Sequence, residues 1–152
     1  MRIAILSNGN INYSTLRLKE EAEKRGHKVK IIKYKNCYVA IDEKNPKVIY
    51  RGGEIGEFDA VIPRIASYMT RYGTSVVRQL EMAYPNTFFA NRSIAINRSR
   101  DKLRSVQLLA RAGVAIPKTV FSRNETDIEV LLDEIGGKRF RSEERRVGKE
   151  CR

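Results

Sequence analysis

The stretch that decides the fold is RIAILSNGNINYSTLRLKEEAEKRGHKVKIIKY, residues 2–34. Residues 2–6 form a compact aliphatic run followed at once by turn residues, which is typical of a buried strand. Charges at helical spacing predict a helix over about 13–25, and Gly26 suits its C-terminal cap. The β-branched run 27–34 predicts a second strand. Strand, helix and strand with short links form a βαβ unit, which implies a parallel sheet with a right-handed crossover.

The segments that follow extend this sheet. YVAID (38–42) and KVIYRGGEIG (47–56) predict short strands around a turn, which together make a hairpin excursion. FDAVIPRI (58–65) predicts the next core strand, a helix with one apolar face is expected over about 70–84, and TFFA (87–90) predicts a short strand. We therefore expect residues 1–95 to form one α/β domain with an open, mostly parallel sheet.

The pattern changes after residue 95. A helix is expected over about 99–112, with Ser99 as its N-cap, Asp101 in its first turn and Gly113 after its end. Pro117 opens a predicted strand over 117–121. A last helix is expected over about 126–135.

Composition limits the classes of protein. The chain has 152 residues, a net charge of +12 and 41% hydrophobic residues, which suffices for a packed core. It contains no run of 18 apolar residues, so no transmembrane helix is expected. Two cysteines, far apart in the chain, suit a reducing, cytoplasmic setting. The charge favours anionic partners, namely nucleic acid, nucleotide phosphates or an acidic peptide, without choosing between them.

Three positions are candidates for single functional sites. The loop SNGNINYS (7–14) follows the first strand, where α/β proteins bind ligands, but it lacks the glycine pattern of a dinucleotide loop, which favours a plain turn. His27 is the only histidine. It has no Ser or Cys partner at a recognisable spacing, so we expect a structural role. Arg64 lies at the carboxyl end of a predicted central strand, where it is either a ligand contact or a solvated arginine.

The sharpest candidate is NRSRDKLRS (97–105), which places four cations around a predicted helix start: Arg98, Arg100, Lys102 and Arg104. Cations there oppose the helix dipole at a cost of about 0.3–1 kcal/mol each. The segment therefore either holds an anion near backbone N–H groups or forms a solvated basic face. No residue is assigned a catalytic role, and none is assigned as a metal ligand.

Several motifs in order resemble a known family: MRIAILS, FDAVIPRI, YGTSVVRQLEM, RSRDKLRSVQLLARAGVAIP and the IGG turn. Together they make residues 1–137 similar to the N-terminal part of RimK-type α-L-glutamate ligases of the ATP-grasp superfamily. S-R-D-K-L-x-S-x-Q-L-L-A-R-x-G is specific to this group, whereas the strands are generic. The resemblance implies a pre-ATP-grasp α/β domain over 1–95 and the start of an ATP-grasp domain over 96–137.

The resemblance also implies an activity. In this family ATP phosphorylates a carboxylate, and the amine of glutamate attacks the acyl phosphate; ATP and Mg²⁺ are the implied cofactors. Lys102 matches a lysine that reaches the nucleotide phosphates, Arg100 would assist it, and Arg64 would contact substrate. The implied acceptor is the acidic C-terminus of a small-subunit ribosomal protein. Relatives that act on amino-group carrier proteins or folate-like cofactors leave the acceptor open.

The resemblance stops near Gly137. The family continues with a second ATP lysine, a glycine-rich loop and the Asp, Glu and Asn ligands of Mg²⁺, none of which is found in residues 138–152. We expect this basic tail to be foreign to the family, and the chain by itself to be a truncated form that does not turn over ATP. A second class, a basic nucleic-acid-binding module, is suggested by the charge, but the basic stretches contain no interleaved aromatics and no recognition motif. The sequence indicates no oligomeric state.

Overall fold

The computed structural model describes residues 1–8, 12–43, 45–122 and 128–136. The strands are β1 (Arg2–Ser7), β2 (Lys28–Lys33), β3 (Cys37–Ala40), β4 (Lys47–Tyr50), β5 (Gly53–Glu54), β6 (Ala60–Pro63) and β7 (Phe88–Phe89). The helices are α1 (Tyr13–Lys24), α2 (Thr70–Ala83), α3 (Ser93–Arg100), α4 (Lys102–Arg111) and α5 (Ile128–Ile135). Short 3-10 turns lie at Tyr34–Asn36 and Ser67–Met69.

A four-stranded sheet with the order β2-β1-β6-β7 forms the centre of the fold, and each neighbouring pair in it is parallel. Ile3 of β1 lies opposite Val29 of β2 on one side and Ala60 of β6 on the other. The prediction of an α/β fold with a parallel sheet built from a βαβ unit is confirmed.

Helix α1 begins and ends where the sequence predicts. The side chain of Asn12 accepts a hydrogen bond from the Thr15 amide at 3.0 Å, and Gly26 adopts a φ of +78° beyond the C-terminus. Arg17 and Glu21, two of the charges at helical spacing, form an ion pair at 3.0 Å. Because both side chains are exposed, each such pair adds only about 0.3–0.5 kcal/mol, so the cap and the packing do more to fix this helix.

The predicted hairpin excursion forms a separate antiparallel sheet with the order β3-β4-β5. Arg51 and Gly52 connect β4 to β5 with φ values of +53° and +81°. Two successive left-handed residues are the signature of the tight hairpin turn that matches the strand twist. The Gln79 side chain of α2 donates a hydrogen bond to the Ala40 carbonyl at 2.8 Å, which ties this sheet to the core.

The core lies between the parallel sheet and α2. The predicted apolar face of α2 is confirmed at Val76, Val77 and Leu80, which are buried. Tyr34 is also fully buried, although it comes from the turn after β2. Gly73 faces the same region, and a Cβ on it would lie 2.5 Å from Ile65 Cγ2 and 3.2 Å from Tyr34 Cε2. These contacts leave no space for a side chain at position 73.

The prediction of one helix over 99–112 is wrong about where the helix begins. The structure has two helices there, and Asp101 separates them with a φ of −91° and a ψ of +99°. The Asp101 carboxylate accepts from the Arg104 amide at 3.1 Å, so Asp101 is the N-cap of α4. Ser99 lies inside α3, where its hydroxyl donates to the Ile96 carbonyl at 2.9 Å. Gly113 follows α4 with a φ of +72°, as expected.

The prediction of a strand over 117–121 is wrong. No strand of the described residues lies beside this segment to supply hydrogen-bond partners for its backbone. Helix α5 confirms the last predicted helix from Ile128 onward, while its expected start at residue 126 and the whole tail 138–152 lie outside the described residues. Met1–Ser105 form one compact unit and Val106–Arg152 a second. The domain division predicted near residue 95 stays a prediction. None of the described helices is long and apolar enough to cross a membrane.

Candidate functional site

A cleft of about 890 Å³ lies at the carboxyl ends of β1 and β6. The chain leaves β1 through α1 to reach β2 on one side, whereas β6 pairs with β1 on the other side. The two connections therefore diverge between β1 and β6, and a crevice at such a point is the usual ligand site of an open parallel sheet. The described residues that line the cleft all come from the unit Met1–Ser105.

The loop Arg64–Ala66 lines the cleft and is held from three directions. The Arg64 amide donates to the Leu6 carbonyl of β1 at 2.8 Å. The Ala66 amide donates to the Tyr34 hydroxyl at 3.0 Å. The Arg100 guanidinium donates through Nη2 to the Ile65 carbonyl at 3.0 Å. Together with the tight packing of Ile65, these bonds give the loop one defined conformation.

Arg64 presents a cation in this cleft. Its Nη2 donates to the Ser14 hydroxyl at 2.6 Å, and its Nε is buried with no acceptor among the described residues. Within the described part of the chain Arg64 forms no ion pair, and the lining contains no Asp or Glu. Arg64 follows β6 at its carboxyl end, as the sequence predicts, and its contact with a ligand stays a prediction.

Arg100 lines the same cleft from α3. The sequence predicts four cations around one helix start, whereas the structure divides them between the end of α3 and the start of α4. Arg98 and Arg100 lie in the last turn of α3, where the helix dipole favours cations, while Lys102 and Arg104 lie in the first turn of α4, where it opposes them. The free-energy cost of a cation at a helix start, which suggested an anion site, therefore applies only to Lys102 and Arg104.

Lys102 is the first residue of α4 and is exposed. It is not among the residues that line the cleft, whereas Arg64 and Arg100 are. The structure thus brings two of the three predicted site residues into one cleft and leaves Lys102 outside its lining.

Several polar residues of the cleft were missed by sequence reasoning. Ser7, Asn8 and Asn12, at the two ends of the loop interpreted as a plain turn, line the cleft. Asn91 follows β7 and lines it as well. The Asn8 side chain donates through Nδ2 to the Tyr68 hydroxyl, and its Oδ1 is buried with no donor among the described residues. Their positions in the sequence could have indicated a ligand site, because Asn8 and Asn91 each follow a parallel strand at the same edge of the sheet.

The remaining reactive side chains lie elsewhere. Cys37 is buried, and burial raises the pKa of its thiol to about 11, so it is a poor nucleophile at neutral pH. His27 does not line the cleft. The described residues contain no group of three or more His, Cys, Asp or Glu side chains that could hold a metal ion. They therefore supply no fitting site for Mg²⁺.

The comparisons with known proteins give the class. Residues 1–96 match the family model described as the RimK PreATP-grasp domain, and the chain belongs to this family. A curated relative from Teredinibacter turnerae (strain ATCC 39867 / T7901), named probable alpha-L-glutamate ligase, is 56% identical over 137 residues, which are 90% of this chain and 45% of that protein. The chain spans about half the length of the curated relatives that it matches.

Two solved structures share the fold. The RimK domain protein ATP-grasp from Sphaerobacter thermophilus DSM 20745 has a TM-score of 0.63 at 22% identity, covering 90% of this chain and 47% of that one. The ATP-grasp ligase PsnB, complexed with minimal precursor, Mg and ADP, has a TM-score of 0.61 at 16% identity, covering 89% of this chain and 52% of that one. The recognition of a RimK-type ATP-grasp chain from its sequence motifs is confirmed.

Proposed function

We propose that this chain is the N-terminal part of an ATP-dependent carboxylate–amine ligase that adds L-glutamate to the C-terminus of a small-subunit ribosomal protein in the cytoplasm. The observation that carries the proposal is the cleft at the β1–β6 edge, where the described lining residues include two arginines and no carboxylate. The 56% identity to a probable alpha-L-glutamate ligase supports the same reaction. In this proposal the ATP-grasp domain begins at about residue 96.

The chemistry requires activation of a carboxylate, because a carboxylate is a poor electrophile. The terminal phosphoryl group of ATP passes to an oxygen of the acceptor's C-terminal carboxylate, which yields an acyl phosphate and ADP. The glutamate amine then attacks the carbonyl carbon, the phosphate leaves with the C–O bonding pair, and the amine nitrogen loses a proton. Developing negative charge at the transferring phosphoryl group calls for fixed cations around it.

The predicted residues divide between these tasks. Lys102 and Arg100 are proposed to neutralise the ATP phosphates, and Arg64 to contact a substrate. Arg100 has one nitrogen engaged with the Ile65 carbonyl, so the rest of its guanidinium remains for a phosphate oxygen. The PsnB complex holds Mg and ADP, which supports the use of ATP and Mg²⁺ in this fold. We assign Mg²⁺ no ligand in the described residues and derive no step through it.

The test is ATP-dependent transfer of labelled L-glutamate to a peptide that ends in an acidic C-terminus, using the full product of the gene that encodes this chain. We expect incorporation that requires ATP and falls at least tenfold in Lys102→Ala, while Arg98→Ala, the loss of an equal charge outside the cleft lining, retains activity. Incorporation by Lys102→Ala at the wild-type rate, or none by the wild type, contradicts the proposal. A carrier protein and a folate-like compound, offered in parallel, test the choice of acceptor.

A further inference from the structure

We propose that a groove beside the start of α2 is a docking site for the acceptor protein, and that it holds the extended, acidic segment that precedes the acceptor's C-terminus. This inference deepens the proposed function and rests on it for the identity of the partner. The α2 groove has a volume of about 350 Å³, and it is lined by Tyr68, Met69, Arg71, Tyr72 and Ser75.

The first argument is that two tyrosine rings of the groove are held in place while they stay accessible to a partner. The Tyr68 hydroxyl accepts a hydrogen bond from the Asn8 side chain, and the Tyr72 hydroxyl donates one to the Cys37 carbonyl. Tyr68 is nevertheless 75% exposed and Tyr72 39% exposed. Rings whose hydroxyls are already bonded have little rotational freedom left to lose, so packing a partner's side chain against them costs less entropy.

The second argument is the charge of the groove. Arg71 is exposed and forms no ion pair with any residue that the structure describes. The described lining residues include no Asp or Glu, and the first turn of α2 contains no acidic residue. A cation beside two accessible aromatic rings matches a peptide segment that carries both a carboxylate and apolar side chains.

The third argument is the position of the groove next to the cleft. Tyr68 lines both of them. The proposed reaction takes place at the acceptor's C-terminal carboxylate, so the residues before this terminus must leave the site across the protein surface. The groove offers them a path from Tyr68 along α2 to Ser75. The helical part of this path, from Thr70 to Ser75, is about 8 Å long, which two to three extended residues of about 3.3 Å each cover.

A single-stranded nucleic acid fits this groove less well than a peptide does. Aromatic rings also stack against bases, but a nucleic acid carries a phosphate at every nucleotide and calls for a row of cations along its path. Arg71 is the one cation among the lining residues that the structure describes. The groove therefore favours a peptide, and binding of nucleic acid becomes an outcome of the test.

The experiment measures the binding of peptides to the 152-residue chain by fluorescence anisotropy. The first peptide, dye-labelled Gly-Gly-Leu-Glu-Pro-Leu-Glu-Glu, has acidic and apolar residues before its terminal pair of glutamates. The second peptide keeps that terminal pair and replaces the four residues before it with Ser-Gly-Ser-Gly. We expect the first peptide to bind about tenfold more tightly than the second, and a short single-stranded RNA not to displace it.

Single variants test each feature of the groove. Arg71→Ala should weaken the first peptide about 2- to 5-fold, and Tyr68→Ala should weaken it about 3- to 10-fold. Both residues are exposed, so these variants should keep the fold. Arg78→Ala removes an equal charge from the exposed side of the same helix, outside the lining, and should bind as the wild type does.

Three results would overturn the inference. The first is that the first peptide binds no more tightly than the second, which would leave the segment before the terminus without a docking site. The second is that Arg71→Ala and Arg78→Ala weaken the first peptide equally, which would mean that only the overall positive charge attracts it. The third is that the RNA displaces the first peptide, which would assign the groove to nucleic acid.

The outcomes separate this inference from the proposed function. In the full gene product, Arg71→Ala should raise the KM of the first peptide and leave its kcat unchanged, because docking away from the reacting carboxylate binds substrate and transition state equally. If glutamate is ligated to both peptides with the same KM, the groove inference fails and the ligase proposal stands. If the first peptide binds through Arg71 and Tyr68 but no acceptor receives glutamate, the groove stands as a peptide site and the ligase proposal fails.

Discussion

The hydroxyl of Tyr34 offers the cleanest test of how the cleft is built. Tyr34 is fully buried, and its hydroxyl accepts the Ala66 amide at 3.0 Å, so it supports the loop that carries Arg64. Tyr34→Phe removes this acceptor and keeps the ring. No cavity forms beyond the hydroxyl volume, and the change in stability therefore reports the hydrogen bond rather than lost packing.

The magnitude follows from the burial of the group left behind. A buried donor that loses its acceptor costs about 1–3 kcal/mol. Ala66 is only half-buried, so water partly replaces the hydroxyl, and we expect a loss of about 1–2 kcal/mol in the free energy of unfolding. For a unit the size of Met1–Ser105 this lowers Tm by roughly 3–10 °C.

The assay is urea denaturation followed by circular dichroism, with the thermal transition as a second readout. Tyr38→Phe is the matched control, because Tyr38 is 68% exposed, and its stability should stay within about 0.5 kcal/mol of the wild type. If Tyr34→Phe is as stable as Tyr38→Phe, the hydroxyl does not hold the loop and the reasoning is refuted.

Three other changes test separate parts of the structure. Gly73→Ala places a Cβ 2.5 Å from Ile65 Cγ2, and the overpacking cost of about 1–3 kcal/mol opposes a helix-propensity gain of about 1 kcal/mol. Thermal denaturation should therefore show a net loss of up to about 2 kcal/mol in the free energy of unfolding. A net gain in stability would mean that the Ile65 side chain moves aside freely. Asn12→Ala removes the N-cap of α1 and should lower the free energy of unfolding, measured by urea denaturation, by about 1 kcal/mol. Asn12→Asp keeps a capping oxygen and should stay close to the wild type. An equal loss in both variants would contradict the capping role. Burial raises the pKa of the Cys37 thiol from 9.0 to about 11, so the stability due to the neutral thiol is present below pH 9 and is lost as the pH rises toward 11. The urea midpoints of the wild type should therefore fall more steeply over this range than those of Cys37→Ala. Parallel pH profiles of the two proteins would contradict the burial effect.

Local sequence patterns predict the central sheet because each of its elements is encoded within its own residues. The aliphatic run of β1, the charge spacing of α1 and the β-branched residues of β2 lie in consecutive segments, and the parallel pairing follows from their order. The position of Arg64 at the cleft follows from the same logic, since a parallel strand that ends in an arginine brings it to the ligand edge.

The start of α3 could not be predicted from its local sequence. The Glu81 carboxylate of α2 accepts from the Ser93 amide at 2.8 Å and from the Ser93 hydroxyl at 2.7 Å. This contact opens α3 six residues before the predicted start, and it joins residues 12 positions apart. Ser99 and Asp101 are both good caps by residue type, and only this earlier start places Ser99 inside a helix.

The support of the cleft loop was also beyond local reasoning. The Tyr34 hydroxyl reaches a residue 32 positions away, and the arginine at position 100 reaches one 35 positions away. Gly73 lies within a regular helical pattern, and nothing in that pattern indicates that Ile65 occupies the space of its missing side chain. Contacts of this kind depend on the assembled sheet, which periodicity does not describe.

The most direct test of the central claim is a ¹H–¹⁵N correlation NMR titration of this chain with L-glutamate or the acidic peptide, and with ATP in a separate sample. The account predicts that the carboxylate ligand shifts the backbone amides of Ser7, Ile65 and Ala66, which line the cleft, and that ATP shifts the amides around Arg100 and Lys102 instead. Shifts by both ligands at the same amides, or carboxylate shifts confined to residues outside the cleft, would contradict the account.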